Sequence, residues 1–370
     1  MSGRIEANGL EDVVAATTRL SDVDGEQGRL VLAGHAVEEI AGRVPFEDAM
    51  FLLFRGAFPS PAERSALREA LGDAREAAFD RIGELGDALA LPDAMDALRA
   101  SVAHLGARPG EEPLAEATRI VAAIAVFAAA WSRGQAPVRP DSRLPHAADY
   151  LRMVAGREAT PAAAAALDAY LVTVIDHGMN ASTFTARVVA STASDTVSAV
   201  VAAIGALKGK LHGGAPGPVL DMLDAIGEAD GARAWVTASL ARGERIMGMG
   251  HRVYRVRDPR AFVLERAIAE LESAEGSTSP IGRRLRLARA VEKEAETQLA
   301  ARHPDRPLKA NVEFYTAVLL EAVGLPRALF TPTFASSRAA GWCAHVEEQR
   351  RHGRLIRPKS RYTNVAPTTG

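Results

Sequence analysis

The sequence predicts an all-α fold with a little β-structure near the N-terminus. Three observations carry that prediction. From residue 45 onward, proline or a capping residue opens successive apolar stretches and glycine closes most of them. Apolar residues such as Leu167, Leu171 and Val174 recur at helical spacing. No regular alternation of strand with helix and no internal repeat runs along the chain. With 370 residues and 48% hydrophobic content, the chain can bury one large core or two unequal domains.

In Gly9 to Gly34, Val13, Val23, Leu30, Val31 and Leu32 are broken up by Gly25 and Gly28, and only here are strands expected. Pro45 opens and Gly56 ends a first helix. Ser60-Pro61-Ala62-Glu63 then combines an N-cap, a first-turn proline and a capping-box glutamate. Pro92 starts a helix that stops at Gly106, Leu114 to Arg133 forms another closed by Gly134, and Thr160-Pro161 opens the next. The longest apolar run, Ile120 to Trp131, is well short of the roughly 20 residues that span a bilayer, so a buried helix is expected and no membrane contact. Ser182 to Ala190 and Ser191 to Leu207 are rich in alanine and serine, which predicts close helix packing. Lys208-Gly209-Lys210-Leu211 breaks the second of these. Pro216-Gly217-Pro218 opens a helix through Val219, Leu220, Leu223 and Ile226.

Asp258-Pro259 caps a helix through Leu264 and Ile268. Glu292, Glu294 and Glu296, with Arg284, Arg286 and Lys293, predict a solvent-facing helix. Asn311 caps a helix ending at Gly324, and a last one runs from Phe334 to Gln349. Arg354-Leu355-Ile356-Arg357-Pro358 leads into a polar tail that can reach a neighbouring subunit.

Composition excludes several classes of function. Formal charge is −2, and although 39 of the 44 basic residues are arginine, acidic residues interleave with them, so nucleic-acid binding is not expected. Cys343 is the single cysteine, which rules out disulfide scaffolds and thiolate metal clusters and fits a reducing cytoplasm. Met1 to Glu6 has no apolar core of a signal peptide. The chain has neither a G-x-S-x-G elbow nor metal-ligand spacing, and its glycines do not fit a dinucleotide fingerprint.

Five stretches carry candidate chemistry. His212-Gly213-Gly214-Ala215 holds a histidine on a glycine-cleared corner just before a helix N-terminus. The positive end of that helix favours a neutral ring that donates one N–H; on the residues alone, loop punctuation is the alternative. His177 follows a helix C-terminus, where an imidazolium is favoured and can meet an anion, or simply cap the helix. Gly248-Met249-Gly250-His251-Arg252-Val253-Tyr254-Arg255-Val256-Arg257-Asp258-Pro259-Arg260 combines backbone that can approach a ligand closely with four arginines in nine residues. It places Arg260 in a first helical turn, where free N–H groups and the guanidinium can share an anion; a solvated basic loop is the alternative. Glu313 is a first-turn carboxylate suited to dipole compensation or to catalysis. Arg338 lies four residues from both Phe334 and Trp342 on an apolar face, with no acid one turn away; it either snorkels to solvent or meets a ligand carboxylate. Cys343 and His345, two residues apart on a helix, point in different directions, so Cys343 reads as core rather than as a thiol site.

His212-Gly213-Gly214-Ala215, Gly250-His251-Arg252-Val253-Tyr254 with Asp258-Pro259-Arg260, Asn311-Val312-Glu313-Phe314, and Gly341-Trp342 with Ala344-His345 together resemble the citrate synthase family, in the family's order and spacing. Gly9-Leu10-Glu11 and Ser21-Asp22-Val23-Asp24-Gly25 extend the resemblance over nearly the whole chain. It implies a two-domain helical homodimer, with residues 1–214 and 321–370 in a large domain and 215–320 in a small one. These close over oxaloacetate before an acyl-CoA binds. By resemblance His212, His251 and Glu313 are catalytic: His212 donates to the developing enolate, Glu313 removes the thioester α-proton and His251 polarises the ketone. His177, Arg260 and Arg338 hold oxaloacetate, with Arg357 supplied by the partner subunit, and Arg255, Gly248, Met249 and Gly250 lie near CoA. CoA or acetyl-CoA is then a cosubstrate, and no permanently bound cofactor or metal is implied.

Two positions depart from the family pattern. Glu313 stands where aspartate is usual, so the helix carrying it is expected to sit further back, since about 1 Å of misplacement can cost on the order of 10²-fold in rate. Pro216-Gly217-Pro218 replaces an Asn-Glu pair, which is expected to alter the hinge more than the chemistry. The alternatives are 2-methylcitrate synthase acting on propionyl-CoA, because one methylene is worth only about 1–3 kcal/mol, and a catalytically silent paralogue that senses CoA or oxaloacetate.

Overall fold

The computed structural model describes residues 9–10, 13–134, 136–213, 216–250, 254, 256–276, 278–304, 308–360 and 362. Its only sheet among these residues is an antiparallel meander of β1 (Ser21–Asp24), β2 (Arg29–Leu32) and β3 (His35–Ala36). Ser21 pairs with Leu32 and Asp24 with Arg29; Leu30 and Leu32 turn into the core while Arg29 faces out. Gly28 takes the left-handed φ of +65° that the tight β1–β2 turn requires.

The remainder is helical. In chain order come α1 (Val37–Ile40), α2 (Phe46–Arg55), α3 (Pro61–Asp80), α4 (Ala94–Ala103), α5 (Pro113–Arg133), α6 (His146–Ala155), α7 (Pro161–Val174), α8 (Ala181–Ala190) and α9 (Thr196–Leu207). There follow α10 (Pro216–Ile226), α11 (Ala232–Ala241), α12 (Pro259–Glu275), α13 (Pro280–Arg302), α14 (Val312–Ala322) and α15 (Phe330–His352).

The punctuation in the sequence operates as its chemistry requires. Ser60 accepts from Glu63 N while Glu63 returns to Ser60 N, forming the capping box of α3. Gly56 closes α2 at φ +73°, and Asn311 Oδ1 caps α14 by accepting from Phe314 N. Three helix starts differ from expectation by more than one residue. α9 begins at Thr196 rather than Ser191, because Asp195 takes the N-cap and accepts from Ser198 N, with Ala193 turned to φ +63° just before it. α4 starts at Ala94, where Asp93 caps it, two residues beyond Pro92. α15 starts four residues earlier than expected, at Phe330. α6 was not among the expected helices, although Pro145 and Gly156 bracket it just as Pro45 and Gly56 bracket α2.

α5 is the axis of the larger group, with α3, α4, α6 and α15 against it. It is long and apolar enough to cross a membrane, but 89% of its apolar window is buried inside the protein. α8 and α9 pack closely on each other, as their small residues predict, and both touch α15. α10 to α14 form a second group whose α12 and α14 lie against α7. α13 is amphipathic rather than wholly solvated: Leu285, Leu287, Ala288, Val291, Ala295 and Leu299 are buried. Glu292 is turned inward too, where its carboxylate accepts from Tyr315 Oη at 2.5 Å and pairs with Arg257. The expected solvent-facing role therefore fails for Glu292, because Tyr315 and Arg257 offer it two donors.

Candidate active site

Helix ends and turns deliver the candidate side chains to one place. The turn after α9 carries His212, the turn after α7 carries His177, α12 and α14 present Arg260 and Glu313 in their first turns, and α15 presents Phe334 and Arg338.

His212 Nε2 lies 2.7 Å from Ser182 Oγ and accepts from Ser182 N at 3.3 Å. An amide can only donate, so Nε2 keeps its lone pair and the ring proton sits on Nδ1. Burial draws His212 down to about 4, and Arg338 adds to the effect, so the ring is neutral at physiological pH. Neutrality was expected from a helix N-terminus; the causes here are desolvation and a neighbouring guanidinium. Gly213 is required beside it, since a Cβ there would lie 2.3 Å from Leu207 O.

Phe334 separates His212 from Arg338. Its ring meets His212 edge-on with centroids 6.4 Å apart and carries the Arg338 guanidinium 4.7 Å from its centre. Arg338 is 1% exposed, which excludes snorkelling. Its Nε donates to Val174 O at 2.7 Å, and it forms no ion pair among the described residues. Burial pulls its guanidinium down to about 10, with Asp176 opposing and Arg260 adding to the fall. A buried cation in that state favours an incoming anion.

Arg260 behaves differently. Its Nε and Nη2 grip both oxygens of Asp258, at 3.0 and 2.8 Å, and Asp258 Oδ1 also caps α12 through Arg260 N. Burial opposes the charge, but Asp258 outweighs it and holds Arg260 above its ordinary value. Asp258 thus supplies one anion at this helix start, and it also accepts from Val312 N and so ties α12 to α14. Tyr254 lies beneath Arg260, 5.8 Å from guanidinium carbon to ring centre. Its hydroxyl meets His177 Nε2 at 3.0 Å.

Glu313 is half-buried in the first turn of α14. Burial pushes its carboxyl above the ordinary range, while Arg260 pulls the other way. The site therefore holds a histidine made less basic and a carboxylate made more basic, beside two buried arginines. That combination suits removal of a weakly acidic C–H proton while an oxygen gains charge next to a neutral N–H donor.

Gly248, Met249 and Gly250 run antiparallel to residues 309–311. Asn311 N donates to Gly248 O, Gly250 N to Lys309 O and Asn311 Nδ2 to Gly250 O. Gly248 and Gly250 have φ of +75° and +82°, and a Cβ on Gly248 would collide with Phe314 at 2.8 Å. Their immediate task is thus to hold the start of α14. Met249 and Gly250 also line an open cleft of about 600 Å³ bordered by Arg245, Arg302 and His303. Arg245, Arg302 and His303, with Glu244 on the same rim paired to Arg242, stand around an apolar floor of Ile246, Leu299 and Leu308, an arrangement that offers donors to a phosphate-bearing ligand with an apolar portion.

His251 and Arg255, with Gly214 and Ala215, lie outside the described residues. Arg357 is exposed in the segment after α15 and is not brought to the cluster within one chain. Cys343 is buried, in keeping with a core role. Ser182, Asp176, Tyr254 and Phe334 had no role assigned from sequence. Phe334 left a local signal in its four-residue spacing to Arg338, and Tyr254 stands in the motif that starts at Gly250; Ser182 reaches His212 across 30 positions, a pairing no local pattern encodes.

A model of the citrate synthase C-terminal domain matches residues 9–359. The chain is 39% identical to citrate synthase of Haloferax volcanii, over 98% of this chain and 97% of that one. It is 37% identical to 2-methylcitrate synthase of Mycobacterium tuberculosis, over 96% and 89%. Among solved structures it is similar to citrate synthase from Thermoplasma acidophilum in a ternary complex with carboxymethyl coenzyme A and oxaloacetate, with a TM-score of 0.85, 27% identity, and coverage of 98% of this chain and 97% of that one.

Proposed function

The chain belongs to the citrate synthase family, and from that premise we propose how its own residues carry the reaction. The protein condenses acetyl-CoA with oxaloacetate and water to give citrate and CoA. Arg338 and Arg260 neutralise the oxaloacetate carboxylates, with His177 beside them. Glu313 takes a proton from the acetyl methyl group as His212 Nδ1–H donates to the thioester oxygen. The enolised thioester then attacks the ketone, which His251 polarises. Water cleaves the citryl thioester and frees CoA. Acyl-CoA enters as a substrate, its phosphates near Arg245, Arg302 and Arg255 and its acyl arm running past Met249 and Gly250.

The observation that carries this reading is the opposed tuning of His212, which lies near Arg338, and Glu313, which lies near Arg260. An unperturbed glutamate near 4.3 is a weak base towards carbon, and burial strengthens it here. Desolvation, with Arg338 nearby, keeps His212 neutral, so its N–H can donate to the oxygen on which charge develops. The same reading divides the chain into a large domain, 1–214 with 321–370, and a small one, 215–320, which close on the ligands. It also makes the active unit a homodimer in which Arg357 reaches the partner's site.

Release of free CoA thiol from acetyl-CoA and from propionyl-CoA, each with oxaloacetate, tests it. Turnover favouring acetyl-CoA is expected. Preference for propionyl-CoA would move the protein to 2-methylcitrate synthesis, the activity named for the mycobacterial relative. Silence with both, alongside ligand-induced stabilisation, would mark a sensor.

A further inference from the structure

We propose that His345 is a positioning residue for the oxaloacetate end of the site, acting through Asp176 on the His177 turn. The inference rests on the assignment of His177 and Arg338 to oxaloacetate.

His345 and Asp176 are fully buried and Arg187 nearly so. Arg187 Nε donates to His345 Nδ1 at 3.0 Å. A guanidinium has no acceptor, so Nδ1 holds a lone pair and the proton lies on Nε2. That Nε2–H points at Asp176 Oδ2, 3.0 Å away. The same oxygen accepts from Ser21 Oγ at 2.5 Å, and Ser21 Oγ in turn accepts from Gly178 N at 2.8 Å. Asp176 thereby clasps the backbone on the far side of His177 through a strand residue more than 150 positions away. Arg187 is itself held by Gln349 Oε1 at 3.1 Å and by Glu348.

One helix face supplies the whole grip. Along α15, Ser337 Oγ donates to Leu171 O at 2.5 Å and Arg338 Nε to Val174 O, so two of the four carbonyls at the end of α7 gain partners from this helix. One turn on, Gly341 lets Ile175 O pass where a Cβ would be 2.3 Å from it, and His345 takes Asp176 one turn later. Arg338 and His345 are thus two points of attachment to a single turn. Losing the second frees Asp176, the one carboxylate that offsets the Arg338 charge, together with the backbone of His177.

His345→Asn and His345→Gln separate the two ring nitrogens. Asparagine can keep an acceptor for Arg187 near the Nδ1 position, but its shorter side chain does not carry the amide donor out to the Nε2 position facing Asp176, whereas glutamine extends a donor towards Asp176. We expect His345→Asn to raise the oxaloacetate KM about 10- to 100-fold, the change that follows loss of a hydrogen bond to a charged group, with the acyl-CoA KM unmoved. His345→Gln should recover most of that loss. Ser21→Ala, outside the buried interior, should raise the oxaloacetate KM in the same direction and decides the matter if His345→Asn does not fold. An unchanged oxaloacetate KM in folded variants, equal rises for both substrates, or glutamine no better than asparagine would each overturn the inference. Wild-type protein that turns over oxaloacetate while all three variants match it would overturn this inference alone. Wild-type protein that neither binds nor consumes oxaloacetate would overturn the oxaloacetate assignment as well.

Discussion

Glu313 and Arg338 show how little of a residue's chemistry lies in its type. A first-turn glutamate normally compensates a helix dipole, and an arginine on an apolar face normally reaches for water. Here burial raises the Glu313 carboxyl and strips Arg338 of solvent, which suits one to the proposed role of base and the other to the proposed role of anion receptor. Glu313→Gln keeps the shape and removes the basicity. Turnover is expected to fall by at least about 10³-fold, in line with loss of a general base and its charge, while oxaloacetate binding measured by calorimetry stays within a few-fold of wild type. Retained turnover would take Glu313 out of the base role. The neutrality of His212 was legible in sequence, but its cause was not. Leu207, Ser182 and Arg338, which shape its surroundings, come from three separate helices.

At the scale of elements, most helices were legible because their ends are written in local chemistry: Ser60 with Glu63, Thr160 with Pro161, Asn311, and Gly56, Gly134 and Gly324. The errors at Ser191 and Phe334 arose where apolar content continued past a structural boundary that a distant contact or a single cap decides. α15 is the element on which the site depends most, and Gly341 is its most constrained point. Gly341→Ala forces a Cβ against Ile175 O, a backbone atom with little freedom to yield. We expect a loss of about 1–3 kcal/mol in denaturant unfolding, the usual range for overpacking a core. Unchanged stability would mean that α15 and the His177 turn are not held as tightly as this contact requires.

Across the whole molecule, buried ionisable groups tie stability to pH in opposite senses. His146 is fully buried, stacked on Phe46, and both ring nitrogens lack a partner among the described residues. Burial pulls it from 6.5 to about 3, with Arg75 adding to the effect. As pH falls below about 6.5 the unfolded chain takes up this proton and the folded one refuses it, so stability is lost from pH 6.5 down to about 3. Asp168 runs the other way. Burial, and then Glu47, raise it from 3.8 to about 7, so the folded state gains its proton first and stability increases as pH falls through 7 towards 3.8. His146→Leu should therefore gain on wild type as pH falls below 6.5, by about 1.4 kcal/mol per pH unit. Asp168→Asn should hold its greatest advantage above pH 7 and lose it on acidification. Urea unfolding of the three proteins between pH 4 and 8 measures both slopes, and parallel pH profiles would show that neither group is desolvated as described.

The sequence by itself determined the all-α class, the ends of most helices and the family, because caps, prolines, glycines and contiguous motifs are local and survive without knowledge of the fold. It also placed His212, Glu313, His177, Arg260 and Arg338 among the candidates. Only the tertiary structure decided how each charge is held: Asp258, two residues away, grips Arg260, while Arg338 lies beneath Phe334 with no ion pair among the described residues. The same holds for the line from Arg187 through His345 to Asp176, whose members are up to 169 positions apart. Desolvation and directional hydrogen bonds depend on what the rest of the chain places nearby, and that is a property of packing, not of spacing along the chain.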